Sequence, residues 1–401
     1  MAVWRGRYRV GLWGAGILAG SLLGGLAAVA VGRRAERAAR RGLVDWSAAE
    51  GIAIARLRRA PGALPPGEIA ASAAGYQEAL AEVIPAVEEL LGAPLTGVAE
   101  RAAVVDRATW VRANLAGIRQ LVGRLEEELL DELLPVGVGL PRAAVALANR
   151  WLATRQIALL LAFLGQRVLG QYDVAILAGA DARDGRLLFV EENVRLAAAS
   201  LGVPTAVFRR WVALHEVTHA FEFEAHPWLQ PHLRRQLEAQ LLAFARRARH
   251  LGRDAWEGIR RGLRRELDGE SWLELFMGPD ERRLFRQTQA VMSLLEGFSD
   301  YVMERVGPDL VPGAEMISRR LQERRLRRSP LERVILRLTG MDLKLDQYVR
   351  GERFVAEIAR LGGEEALRRL WSGPAALPRP EELDDPGAWL ARMASGGGGG
   401  R

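Results

Sequence analysis

Apolar positions recur at a helical period along most of this chain and switch to a strand period in one stretch. The pattern predicts helices over Asp45 to Arg59, Ile69 to Leu91, Asp106 to Leu130 and Ala143 to Leu169. In the third, Trp110, Val111, Leu115, Ile118, Leu121 and Val122 form one apolar face. Asp45 or Ser47 can cap the first, and PGALPPGE breaks the chain after it. Two extended runs follow, Tyr172 to Leu177 and Arg186 to Val190, with Asp184-Gly185 supplying a hairpin turn signal between them. Helices resume over Glu192 to Ser200, then through VPTAVFRRWVALHEVTHAFEFEA until His226-Pro227, because Pro disfavours α geometry in the residue before it. Pro231 to His250, Asp254 to Leu267, Pro279 to Val306, Ala314 to Arg327 and Leu343 to Leu361 complete the series. Short connections and the lack of an internal repeat point to one mainly α (α+β) domain over 42–392, with a small sheet or hairpin.

Both ends depart from this pattern. Val10 to Val31 is an uncharged apolar run of about 22 residues, long enough to cross a bilayer. Gly16, Gly20 and Gly24 fall four apart within it, a face on which two membrane helices can approach and form a homodimer. Arg33, Arg34, Arg37, Arg40 and Arg41 follow and outnumber Arg5, Arg7 and Arg9 before the run, which favours a membrane anchor over 1–41 with a cytoplasmic body. The alternative is export after signal-peptide cleavage near Ala28-Val29-Ala30. The end, 393–401, reads as a flexible Gly-rich tail.

Composition narrows the function classes. With no Cys, disulfides and thiolate metal ligands are excluded. The net charge of +7 comes almost wholly from Arg, Lys344 being the single lysine. These Arg residues are spread beside Glu and Asp along helices and form no basic patch interleaved with aromatics, so no nucleic acid partner is expected.

His215-Glu216-Val217-Thr218-His219 is where the helical pattern meets chemistry. Residues four apart share a helix face, so His215 and His219 can present ring nitrogens to one ion. Glu216 is rotated about 100° from His215, near enough to touch a bound water without ligating the ion. With five His in 401 residues, chance placement of this pattern has an expectation of roughly 0.005 per chain. Zinc needs a third protein ligand and an open position for water. His226 stands one residue later than the H-E-x-x-H-x-x-G-x-x-H arrangement requires, and Glu222 occupies the glycine position of that motif. Glu296 is better suited: in SLLEGFSDYVMERVG it lies four residues before Asp300 on an apolar helix. A carboxylate there can ligate, while Asp300 can take the other ring N–H of a ligand His.

HEVTHAFEFEAHPWL, SLLEGFSDYVMERVG and GMDLKLDQYVRGERFV together resemble the bacterial zincin-like metallopeptidases of type 2, within the gluzincin branch, over about Val44 to Leu390. Some members are labelled as associated with deazaflavin-coenzyme biosynthesis. The resemblance implies one Zn2+ per chain on His215, His219 and Glu296, with Glu216 as general base for hydrolysis of a peptide or protein substrate. Tyr348 and Lys344 are the candidates for a second oxyanion donor. The strand Leu187, Leu188, Phe189 and Val190 is a candidate edge along which an extended peptide could pair. Two other classes stay open: a non-catalytic, zinc-stabilised partner-binding module, and a zinc hydrolase of a non-peptide amide.

Overall fold

The computed structural model describes residues 42–133, 140–173, 186–250, 278–326 and 344–396. The expected anchor segment with Gly16, Gly20 and Gly24, the expected Asp184-Gly185 turn and the helix expected over Asp254 to Leu267 lie outside these residues. Among the described residues no helix is long and apolar enough to cross a membrane.

Twelve helices are described. They are α1 (Trp46–Arg58), α2 (Pro66–Ala71), α3 (Ala73–Leu91), α4 (Arg107–Leu133), α5 (Leu140–Gly165), α6 (Glu191–Leu201), α7 (Thr205–Glu224), α8 (Leu229–His250), α9 (Pro279–Leu310), α10 (Ala314–Leu326), α11 (Lys344–Leu370) and α12 (Pro386–Gly396). Three strands join them: β1 (Ala102–Val105), β2 (Gly170–Asp173) and β3 (Arg186–Val190). The mainly α fold with a small sheet is the one expected. The Asp45 carboxylate accepts from the Ala48 N–H at 3.0 Å and caps α1. The helix expected from Ile69 is divided at Ser72 into α2 and α3. At the other end, Met393 to Gly396, expected in the tail, belong to α12, whose Trp389 is fully buried and donates to the Ala376 carbonyl at 2.7 Å.

The sheet corrects one expectation. Strand order is β1-β3-β2, with β1 parallel and β2 antiparallel to β3. Leu187, Leu188, Phe189 and Val190 therefore form the central strand, paired on both sides and buried, and offer no free edge to a peptide. Their uninterrupted apolar run has a physical reason, since alternate residues enter different cores. Leu187 and Phe189 join the larger core with α3, α7 and α9, while Leu188 and Val190 join a second core with α1, α4 and α5.

Two buried polar groups fix the helices around the sheet. Glu191, at the start of α6, receives Arg209 of α7, Arg195 at 2.7 Å, the Tyr76 hydroxyl at 2.9 Å and the Ser72 hydroxyl at 3.0 Å. Burial acts against its charge, but the two guanidinium groups and Tyr76 outweigh it and hold the carboxyl below its ordinary value. Neighbouring Glu192 accepts from the backbone of Arg107 at 2.8 Å and of Leu64 at 3.2 Å, tying the loop after α1 to the start of α4.

The closest helix crossing joins α9 to α11. A Cβ on Gly297 would stand 2.1 Å from the Gly351 carbonyl carbon, and one on Gly351 would stand 1.9 Å from the Ser293 oxygen. Only hydrogen fits there.

Gly351→Ala should therefore lower stability by about 1–3 kcal/mol or more in denaturant unfolding, although Ala favours an isolated helix by about 1 kcal/mol. Glu191→Gln should cost about 1–3 kcal/mol at neutral pH by removing the charge that half-buried Arg209 and Arg195 pair with. Because the folded carboxyl titrates below the unfolded one, its stabilisation is full above the unfolded pKa and is lost as pH falls through the folded value. The gap between wild type and variant should narrow on acidification, as read by unfolding at a series of pH values.

Candidate metal centre

Helix α7 runs through the larger core, with Leu214, Val217, Ala220 and Phe221 buried along it. This burial sets its rotation and turns His215 and His219 toward α9, where Glu296 sits. Two His four residues apart come together, as their spacing requires: the Nε2 atoms of His215 and His219 are 3.2 Å apart. Glu296 Oε2 lies 3.8 Å from His215 Nε2 and 4.0 Å from His219 Nε2. One donor atom from each of the three residues thus falls within 4.8 Å of the others. Two ligands about 2.0–2.1 Å from a tetrahedral zinc would be roughly 3.3 Å apart, so the triangle fits that ion after a slight contraction toward Glu296. The donor set, two imidazoles and a carboxylate, also leaves one tetrahedral position open.

The packing behind the triangle is specific. Gly297, next to Glu296, is where α11 touches α9, so the ligand carboxylate is carried on the tightest crossing in the fold. The Trp211 ring lies parallel to that of His215, with centroids 6.1 Å apart. His219 Nδ1, whose proton is fixed by turning Nε2 to the triangle, donates to Glu222 Oε2 at 2.7 Å. Glu222 is fully buried and orients the His219 ring. Burial pushes the Glu222 carboxyl up to about 7 against the opposing pull of His219. Burial disfavours a charged His219, yet Glu222, Glu296 and Glu216 together outweigh it and raise the ring to about 10. An electron-rich imidazole of this kind is a strong donor once it has given up its Nε2 proton to a metal.

Glu216 is buried beside the triangle and receives the Tyr172 N–H of β2 at 2.9 Å. Burial is the main cause that raises its carboxyl to about 7, with Glu296 adding and His219 opposing. The strand approaches this closely because residue 170 is glycine: a Cβ there would stand 2.6 Å from Glu216 Cγ. Tyr172 is itself held by Glu224, which accepts its hydroxyl at 2.8 Å and pairs with Arg101 at 2.5 Å.

Asp300, Lys344, Tyr348 and His226 are the other residues the sequence singled out. Asp300, one turn beyond Glu296, adds with Glu304 to the negative field that raises Glu352 of α11 to about 7, after burial as the largest cause. Lys344 and Tyr348 fall on the first turns of α11, and their side chains lie outside the described ones. His226 is remote from ligation; it stacks on Trp371 at 4.8 Å and its Nδ1 lies 3.0 Å from the Glu222 carbonyl oxygen. Glu222 and Gly170 were missed in the sequence. The first had a signal, since it stands three residues after His219 on the same helix face; Gly170 had none, because its role depends on a contact 46 positions away.

A half-buried His/His/Glu triangle with a buried carboxylate next to it defines a metallohydrolase site of the zincin type. The chain belongs to the zincin-like metallopeptidase family, whose profile matches residues 44–390. It is also similar to a candidate hydrolase with a novel fold from Chloroflexus aurantiacus, known from a crystal structure. The two are 31% identical, with a TM-score of 0.64 over 88% of this chain and 99% of that one. No curated protein matches the chain.

Glu222→Gln should leave the fold intact and weaken zinc binding about 10–100-fold, measured by competition with a chromophoric chelator.

Proposed function

We propose that this protein is a zinc-dependent peptidase. The observation that carries the reading is the position of Glu216, buried next to the donor triangle yet bonded to β2 instead of joining the triangle. A metal site serving stability alone has no use for such a base. Zinc held by His215, His219 and Glu296 would polarise the scissile carbonyl and acidify the attacking water. Glu216, beside the triangle but not part of it, is suited both to accept a proton from that water and to pass it to the leaving amine. Glu222 keeps His219 in the tautomer that ligation needs. Tyr348 and Lys344 are the candidates for a second oxyanion donor.

The peptide strand belongs alongside β2. Unlike β3, β2 has one neighbour among the described strands, and its Tyr172 N–H already points at the general base. An extended chain on that side would bring its carbonyls to the zinc site in a strand's regular register.

The test is cleavage of a broad peptide library by wild type and Glu216→Gln, each loaded with one zinc. Wild type should cleave, and the variant should lose at least about 100-fold of that rate, the scale of a removed general base. Equal activity, or inertness of both across the library, would overturn the peptidase reading.

A further inference from the structure

We infer that Glu224, acting through Tyr172, is a positioning residue that sets where the Glu216 carboxylate stands. The inference deepens the peptidase reading and rests on it for the role of Glu216 as base.

A glutamate on a helix turns about several side-chain torsions, so α7 alone leaves Glu216 free to swing toward the donor triangle. A Glu216 that joined the triangle would occupy the open position that water needs. β2 opposes this. The Tyr172 N–H holds Glu216 Oε2 at 2.9 Å. Gly170 gives the side chain room to reach the strand, since a Cβ there would stand 2.8 Å from Glu216 Oε1. The base is thus held by a strand as well as by its own helix, and whatever places the strand places the base.

Tyr172 is bonded to α7 at both of its ends. Its N–H goes to Glu216, and its hydroxyl donates to Glu224 Oε1 at 2.8 Å. Those two carboxylates belong to residues about 12 Å apart along the helix axis, so one residue of β2 spans two turns of α7. The Tyr172 ring stacks on Phe223, with centroids 6.1 Å apart and planes 15° from parallel, and both side chains are buried. Burial first, and then Glu224, hold the phenol far above its ordinary pKa against the pull of Arg101, so the hydroxyl stays a donor. Arg101 closes the circuit. Its guanidinium donates to the same Glu224 Oε1 at 2.5 Å, while its carbonyl accepts the Leu187 N–H of β3 at 3.3 Å. Glu224 is therefore tied to the sheet through β2 and again through the residue that precedes β1, although it stands two turns from the base and is no part of the triangle.

Hydrogen exchange read at single amides of the full chain tests this without a substrate. The amide at position 172 should be protected in wild type and exchange about tenfold faster or more in Tyr172→Phe and in Glu224→Ala. Glu224→Gln keeps a side-chain oxygen for both donors and should stay within about threefold of wild type. The Val190 amide, bonded to the Leu169 carbonyl at 2.9 Å, should be unchanged in all three, which separates positioning from a general loosening of the sheet. On a peptide that wild type cleaves, Tyr172→Phe should lose about tenfold in kcat with KM and zinc content unchanged. Unchanged exchange at position 172 in Tyr172→Phe and Glu224→Ala would overturn the inference. Equal acceleration at Val190, or an unchanged kcat beside a faster amide, would overturn it too. A wild type that cleaves nothing while the exchange pattern holds would remove the peptidase reading and leave the link from Glu224 to Glu216 standing.

Discussion

Three carboxylates, Glu216, Glu222 and Glu296, crowd around two imidazoles between α7 and α9, and the rest of the structure serves to hold them there. Such a cluster resists ionisation: burial and mutual repulsion raise both Glu216 and Glu222 to about 7. A divalent cation on the His/His/Glu triangle removes the conflict by supplying the charge that the carboxylates lack. The helix burial that fixes α7, the glycine crossing that carries Glu296 and the β2 strand that bonds Glu216 are three independent ways of setting one geometry. Leu214, Tyr172 and Gly297, which make these contacts, are buried, so packing fixes the positions of the ligands.

The sequence showed much of this and hid a definite part. His215, His219 and Glu216 were legible because helical spacing alone fixes their relation. Glu296 was legible because a carboxylate amid Leu294, Leu295 and Phe298 needs a partner. The partner of His219 was missed: Glu222, first regarded only as a failed glycine position, makes the bond to its Nδ1. The sheet was half legible. β2 and β3 were found, but β1 is four short residues, Ala-Ala-Val-Val, that pair in parallel with a strand about 85 positions on, and no local pattern announces that. Without β1, β3 passed for an edge. Its unbroken apolar run was the available clue, since a strand covered on both faces has no polar alternation.

The two cores on either side of β3 give the body a direction. The larger one holds the metal centre; the smaller one carries α5 and receives the chain at Gly42. β2 links them, through Tyr172 toward Glu216 and through Gln171, which accepts from the Trp110 indole at 2.6 Å, toward the smaller core.

The central claim is that His215, His219 and Glu296 ligate one zinc ion. Zinc K-edge absorption of the full chain and of Glu296→Ala tests it most directly. The account predicts about one zinc per chain with two imidazoles and oxygen ligands near about 2.0 Å, and loss of most of the metal in the variant. Equal zinc content and an unchanged ligand shell in Glu296→Ala, or no zinc in the metal-replete wild type, would contradict it.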